Sequence, residues 1–187
     1  EGFRREAGVD GLWGEAGYTT VERIWGRPTL DVNGIWGGFT GEGGKTIIPS
    51  QATAKISMRL VPDQDPERIF QRFSDYVKEL APPEVHVEVR NLHGAVPVLI
   101  DRDIPEMQAA ERAYEKGFGK TPVFTREGGT IPVVGMFTEQ LGIPTILMGF
   151  GLPDDRLHSP NEKFSIDHFY KGIRTSIYFL DALAADG

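Results

Sequence analysis

Leu30, Val32 and Ile35 with Trp36 are spaced as a strand that starts at Thr29 and stops at Gly37 and Gly38. A second strand is predicted where Ile47 and Ile48 lead into Ala52, Ala54, Ile56, Met58 and Leu60, alternating with Thr53, Lys55, Ser57 and Arg59. Period two over that length implies one buried face and one polar face. Asp65 and Pro66 then open a helix as N-cap and first helical residue, Ile69, Phe73, Val77 and Leu80 form its apolar stripe, and Pro82-Pro83 ends it. Val85, Val87 and Val89 alternate with His86, Glu88 and Arg90 in a third expected strand, with Pro97 at its far end. Strand, strand, helix, strand is three quarters of a split α/β sandwich, whose leading strand and helix would precede residue 1.

After about Leu99 a second unit is expected: a helix over Ile104 to Phe118, a short strand over Pro122 to Phe124, a glycine turn and a helical stretch over Ile131 to Leu141. Thr145 to Met148 reads as a buried strand, bounded by Pro144 and by Gly149 and Gly151. The chain closes with a helix from about Ser165 to Ala185, capped by Ser165 and turning Phe169, Ile173, Ile177 and Leu180 inward. Residues 1–28 form an irregular lead-in with short helices over Phe3 to Ala7 and Thr20 to Trp25, the glycines at 8, 11, 14 and 17 breaking any longer period.

Composition narrows the function. At 187 residues and 40% hydrophobic content the chain has the material for a real core. Twenty basic against 27 acidic residues give a net charge of −7, the wrong sign for gripping phosphate backbones, so nucleic acid is excluded as a main partner. The absence of cysteine removes disulfides, thiolate metal sites and cysteine nucleophiles, and is compatible with a cytoplasmic location. No apolar run reaches the roughly 18 residues of a membrane span, so a membrane partner is not expected. The chain opens at Glu1 without methionine, which we read as a piece cut from a longer product.

The residues that carry chemistry have ordinary readings as well. Gly41-Glu42-Gly43-Gly44-Lys45-Thr46 invites comparison with a phosphate loop, but the upstream glycine would fall at Phe39 and a strand with Pro49 follows where that loop needs a helix. A hairpin connection is the better reading. Arg59 shares a polar strand face with Thr53, Lys55 and Ser57, so both it and Thr46 stand open between binding and simple solvation. In Thr125-Arg126-Glu127-Gly128-Gly129-Thr130-Ile131-Pro132, paired glycines before a helix let a ligand reach the backbone, and Arg126 is suited to a carboxylate; a tight strand-to-helix connection is the alternative. His158-Ser159-Pro160-Asn161-Glu162 follows a buried strand and a glycine-rich loop, where α/β sheets carry ligands, and a neutral imidazole there is a potential metal ligand. No second histidine stands at ligand spacing, and His86, His93 and His168 are read as structural.

Taken in order, Gly43-Gly44-Lys45-Thr46-Ile47-Ile48-Pro49, Ser57-Met58-Arg59-Leu60-Val61-Pro62, the 125–132 segment and His158-Ser159-Pro160-Asn161-Glu162 resemble the dinuclear-zinc dipeptidase and carboxypeptidase family. The nearest branch is the carnosinase-like cytosolic dipeptidases; carboxypeptidase G, the aminoacylases and the succinyl-diaminopimelate desuccinylases are also relatives. The resemblance runs from about Trp25 to Ala184.

That resemblance implies an α/β protein in which residues 1–98 are the latter part of a split α/β (ferredoxin-like) lid and dimerisation domain, and 99–187 the C-terminal part of a zinc-peptidase α/β catalytic domain. It implies His158 as the last metal ligand, Thr46 and Arg59 as lid residues that hold substrate, with Arg59 on its free carboxylate, and Gly128, Gly129 and Thr130, with Arg126, as the loop lining the substrate pocket. Two zinc ions, or manganese, would serve the complete enzyme, this chain contributing one ligand. The general base and the other ligands would lie upstream, so no catalytic residue is assigned within the chain. Implied partners are a dipeptide or N-acyl amino acid substrate, a second copy through the lid, and the missing N-terminal portion of the same protein. The alternative is a non-catalytic member or fragment serving as a dimerisation or small-molecule-binding module.

Overall fold

The computed structural model describes residues 2–126 and 131–186. Among the described residues six helices and two strands follow in the order α1 (Gly2–Ala7), α2 (Thr20–Gly26), β1 (Thr29–Gly37), β2 (Ala52–Arg59), α3 (Pro66–Leu80), α4 (Pro105–Phe118), α5 (Pro132–Leu141) and α6 (Ile166–Asp186). The chain divides into two compact units. One comprises Glu1–Gly14, Leu99–Gly128 and Met136–Gly187; the other comprises Glu15–Val98 and Gly129–Gly135. Among the described residues no helix is long and apolar enough to cross a membrane.

The helix boundaries follow local chemistry. Thr19 caps α2 through a complete capping box with Glu22, and Asp65 caps α3 by accepting a 2.7 Å hydrogen bond from the Arg68 N–H, with Pro66 at the first turn. Gly119 terminates α4 in the left-handed conformation at φ 70°, and its N–H returns to Glu115 O. Ser165 caps α6, its Oγ accepting from His168 N at 3.4 Å.

In the unit built on Glu15–Val98, β1 and β2 pair antiparallel from Thr29↔Arg59 to Gly37↔Ala52, with a β-bulge at Asn33. The bulge resolves a parity problem in the sequence. Leu30 and Val32 are two apart and Ile35 three beyond, yet Leu30↔Met58, Val32↔Ile56 and Ile35↔Ala54 are all cross-strand pairs, so all six share one face. Asn33 absorbs the extra residue, and Thr29, Asp31, Gly34 and Trp36 fall opposite Arg59, Ser57, Lys55 and Thr53 on the other face.

Several expectations are corrected here. The second strand begins at Ala52, so Ile47 and Ile48 lie in the connecting loop. The apolar face of the β1–β2 pair forms but is not buried: Leu30, Val32, Ile35 and Ile56 are exposed. The segments expected as strands over Val85 to Val89, Pro122 to Phe124 and Thr145 to Met148 are not in a ladder among the described residues. Alternation specifies which side chains share a face; the strand itself requires a hydrogen-bonding neighbour that these segments do not have here.

In the other unit the core is a helix pair. Ala109, Ala110 and Ala113 of α4 and Thr175 of α6 are buried, and Gly117 of α4 lets the two helices approach closely at Thr175. The inward stripe expected on α6 is therefore corrected: Phe169, Ile173, Ile177 and Leu180 are 44–66% exposed, while Thr175 faces α4 and the buried Gly172 lies against the Phe150 ring. Small residues win that contact because they permit backbone approach across its whole length.

The chain exposes 14,681 Å². Two independent compact units of half its mass would together expose only about 10,700 Å². Exposed large apolar side chains include Leu30, Val32 and Ile35 of β1 and Phe169, Ile177 and Leu180 of α6, on elements whose sequence patterns call for burial.

Candidate functional site

The His158 loop is anchored at both ends by structure that the sequence encodes locally. Upstream, Phe150 stacks on Phe118 of α4, with ring centroids 6.0 Å apart and planes 3° from parallel, and lies 5.5 Å from the Tyr114 ring. The Tyr114 hydroxyl donates to Gly149 O at 2.8 Å, and burial pushes its pKa up to about 12. His168 Nδ1 lies 2.9 Å from Phe150 O; a carbonyl only accepts, so that nitrogen carries the proton. Downstream, the Ser165 cap starts α6.

Between these anchors the loop closes on Asp155. Its side chain is 1% exposed, its Oδ2 accepts from Leu152 N at 2.7 Å, and its Oδ1 accepts from Lys163 Nζ at 3.1 Å. Its backbone works too: Asp155 N–H donates to Leu152 O, and Asp155 O accepts from Lys163 N at 3.0 Å. The Leu152 N–H bond, with the Lys163 ammonium, holds the Asp155 carboxyl below the usual carboxylate range against the opposing effect of burial. Lys163 is raised by its bonds to Asp154 and Asp155. Within this closed loop Arg156, His158 and Asn161 all adopt positive φ, at 58°, 60° and 60°. Left-handed backbone is uncommon for residues with a Cβ, and histidine and asparagine tolerate it better than most. His158 itself is exposed, and no described residue bonds its ring.

The other expected site residues are placed as follows. Thr46 is exposed in the β1–β2 connection, where Lys45 Nζ lies 5.4 Å from the Phe39 ring centre; it is not at the end of a strand. Arg59 ends β2, exposed, and its N–H donates to Thr29 Oγ1 at 3.3 Å. Thr46 thus lies thirteen residues before Arg59, in the loop that leads into β2, while Arg59 stands at the strand's far end. Arg126 is exposed, and Gly128, Gly129 and Thr130 lie outside the described residues. Thr46 and Arg59 belong to one unit, His158 and Arg126 to the other.

As a metal donor, His158 supplies the right chemistry, an exposed imidazole free to coordinate as the neutral base. A zinc centre needs about four ligands, and among the described residues no group of three or more His, Asp or Glu side chains gathers to hold a metal ion. The described residues therefore fit one ligand's share of such a centre and do not complete it. In the sequence Asp154 and Asp155 stand just upstream of the His158 motif with no role assigned to either, and Lys163 carries no signal of its own. Asp154 and Asp155 are adjacent and chemically identical, and only the fold distinguishes them, leaving Asp154 75% exposed and Asp155 buried.

Residues 3–85 match the family model described as the M20 peptidase dimerisation domain. Over 89% of its length the chain is 33% identical to the Cys-Gly metallodipeptidase dug1 of Schizosaccharomyces pombe, and over 97% it is 28% identical to the human Beta-Ala-His dipeptidase; it spans 36% of each of those proteins. Its fold superposes on an M20 family metallo-carboxypeptidase from Sulfolobus solfataricus with a TM-score of 0.81 and 28% identity, covering 97% of this chain and 41% of that one. The chain matches the M20 peptidase family over its C-terminal portion. The fold class is α/β, as the sequence pattern indicates.

Proposed function

We propose that this chain is the C-terminal portion of a metal-dependent dipeptidase that hydrolyses dipeptides or related amides bearing a free carboxylate. The observation that carries the reading is the similarity, over nearly the whole chain, to proteins named as dipeptidases, one of them as a metallodipeptidase. Because the chain spans about a third of those relatives, the remaining ligands and the general base would come from the rest of the polypeptide. Two bound zinc or manganese ions would supply the Lewis acidity that activates the attacking water. His158 would hold one ion through a ring nitrogen, Arg59 would pair with the substrate carboxylate, and Thr46 would donate a hydroxyl to substrate. Arg126, Gly128, Gly129 and Thr130 would line the pocket loop. Residues 1–98 would form the C-terminal portion of a lid and dimerisation domain and 99–187 the C-terminal portion of the catalytic domain, in a cytoplasmic homodimer.

The exposed apolar stripe on α6 agrees with this reading, since a helix packed against the rest of a catalytic domain needs such a stripe. The test is hydrolysis of a dipeptide panel by the complete polypeptide with zinc or manganese. Arg59→Ala should raise KM strongly for substrates with a free carboxylate and little for the same peptides blocked as amides. Equal losses on both would remove Arg59 from the carboxylate site, and no turnover of any dipeptide would remove the activity. A second reading, a dimerisation module without catalysis, is favoured by one observation, the family description of residues 3–85. It predicts a stable dimer with no turnover.

A further inference from the structure

We infer that Asp155 is the positioning residue for His158, gathering the 152–163 loop around a buried carboxylate so that the imidazole is presented in one conformation. The inference rests on the reading of His158 as a metal ligand and extends it to a residue that touches neither metal nor substrate.

Three features carry it. First, a buried carboxylate is unfavourable unless fully partnered, and Asp155 meets that demand with partners from both ends of the loop, Leu152 N before His158 and Lys163 Nζ after it. Second, its backbone repeats the link, since Asp155 O accepts from Lys163 N and so pins together residues that bracket His158. Third, the bracketed segment holds Arg156, His158 and Asn161 at positive φ, a conformation that persists only where the surroundings over-determine it. Ser159 N–H to Arg156 O is the one backbone bond inside the segment among the described residues, so most of that constraint comes from the Asp155–Lys163 closure. Asp154 shares Lys163 at 3.0 Å but is exposed, and it contributes an ion pair without the closure.

The test uses the complete polypeptide in metal-free form, loaded with zinc alone for affinity and with cobalt for its visible spectrum. Asp155→Ala removes the closure; Asp155→Asn keeps an acceptor for Leu152 N but gives up the charge opposite Lys163; Lys163→Met removes the other side. His158→Ala is the reference. We expect His158→Ala to weaken zinc binding strongly, Asp155→Ala to weaken it about 10- to 100-fold with an altered cobalt spectrum, and Asp155→Asn and Lys163→Met to fall between. If His158→Ala weakens zinc binding while the Asp155 and Lys163 variants lower only the metal-free melting temperature, leaving affinity and spectrum unchanged, Asp155 is not a positioning residue and the ligand assignment stands. If His158→Ala binds zinc like the wild type, the ligand assignment itself fails and the inference with it. Should Asp155→Ala not fold, Asp155→Asn and Lys163→Met decide the question.

Discussion

Replacing Gly117 by alanine would interrogate the α4–α6 contact at its closest point. A Cβ at 117 would lie 1.9 Å from Thr175 Oγ1, 3.0 Å from its Cβ and 3.3 Å from its Cα. Thr175 has no room to yield: it is fully buried, and its hydroxyl donates to Lys171 O at 2.8 Å. Relief requires breaking that bond, turning a β-branched side chain off its rotamer, or separating the helices. Overpacking of this kind costs about 1–3 kcal/mol, and the intrinsic helix preference of alanine over glycine returns at most about 1 kcal/mol. The expected net loss is about 1–2 kcal/mol, read as a lower urea midpoint at unchanged slope. Two companions make the measurement specific. Thr175→Ala removes the nearest atom, so the cost of Gly117→Ala should shrink by about 1 kcal/mol in that background. Gly26→Ala, the same change at the end of α2 where an added Cβ meets nothing within 4 Å, should be neutral or slightly stabilising. A Gly117→Ala variant as stable as the parent, or an undiminished cost beside Thr175→Ala, would refute the close approach of the two helices.

Asp65→Ala should cost about 1 kcal/mol in denaturation experiments through loss of the α3 cap, and Asp65→Asn a fraction of that; equal losses would show that charge rather than the Arg68 N–H bond is at work. Tyr114, with its pKa raised from 10.0 to about 12 by burial, contributes stability that is complete below pH 10 and lost as pH rises through its folded pKa; Tyr114→Phe should flatten the stability profile over that range. Asp155, held below its ordinary value of 3.8, contributes stability present above that pH and lost as pH falls through its lower folded pKa, a dependence that Asp155→Asn should abolish in acid denaturation.

The local structure was legible because local chemistry specifies it. Asp65-Pro66 before an apolar stripe, Pro82-Pro83 after it, and Ser165 before the last helix mark boundaries that need no distant partner, and α3, α4, α5 and α6 fall within a residue or so of the expected ranges. The failures share one cause, dependence on a distant neighbour. The valines at 85, 87 and 89 alternate as a strand should, yet no ladder forms on them here. Asn33 as a bulge, and with it the placement of Ile35 on the face of Val32, depends on how β2 lies alongside. On α6 the sequence offers two stripes, one large and apolar, one small, and the identity of the neighbour decides between them. The same holds at the site: the His158 motif is visible in the sequence, while the choice of Asp155 over Asp154 as the buried partner of Lys163 is made by the fold.

Within the unit that carries His158, packing and chemistry are incomplete in the same way. The α4–α6 pair buries its small residues and leaves Phe169, Ile173, Ile177 and Leu180 uncovered, although burial of one such side chain is worth about 1.5–3 kcal/mol. The neighbouring loop is closed by a buried carboxylate and holds three residues in left-handed backbone, a costly construction around a single imidazole that has no described partner. An apolar stripe is maintained in a sequence when something covers it, and a constrained ligand is useful when other ligands meet it. On the function proposed above, one body of protein would meet both demands, packing on α6 and carrying the remaining metal ligands. Metal affinity and the stability of α6 should then be linked, so that zinc raises the protection of α6 amides against hydrogen exchange in the complete polypeptide and fails to do so in His158→Ala. Equal protection of α6 with and without zinc would separate the two demands and count against a single body meeting both.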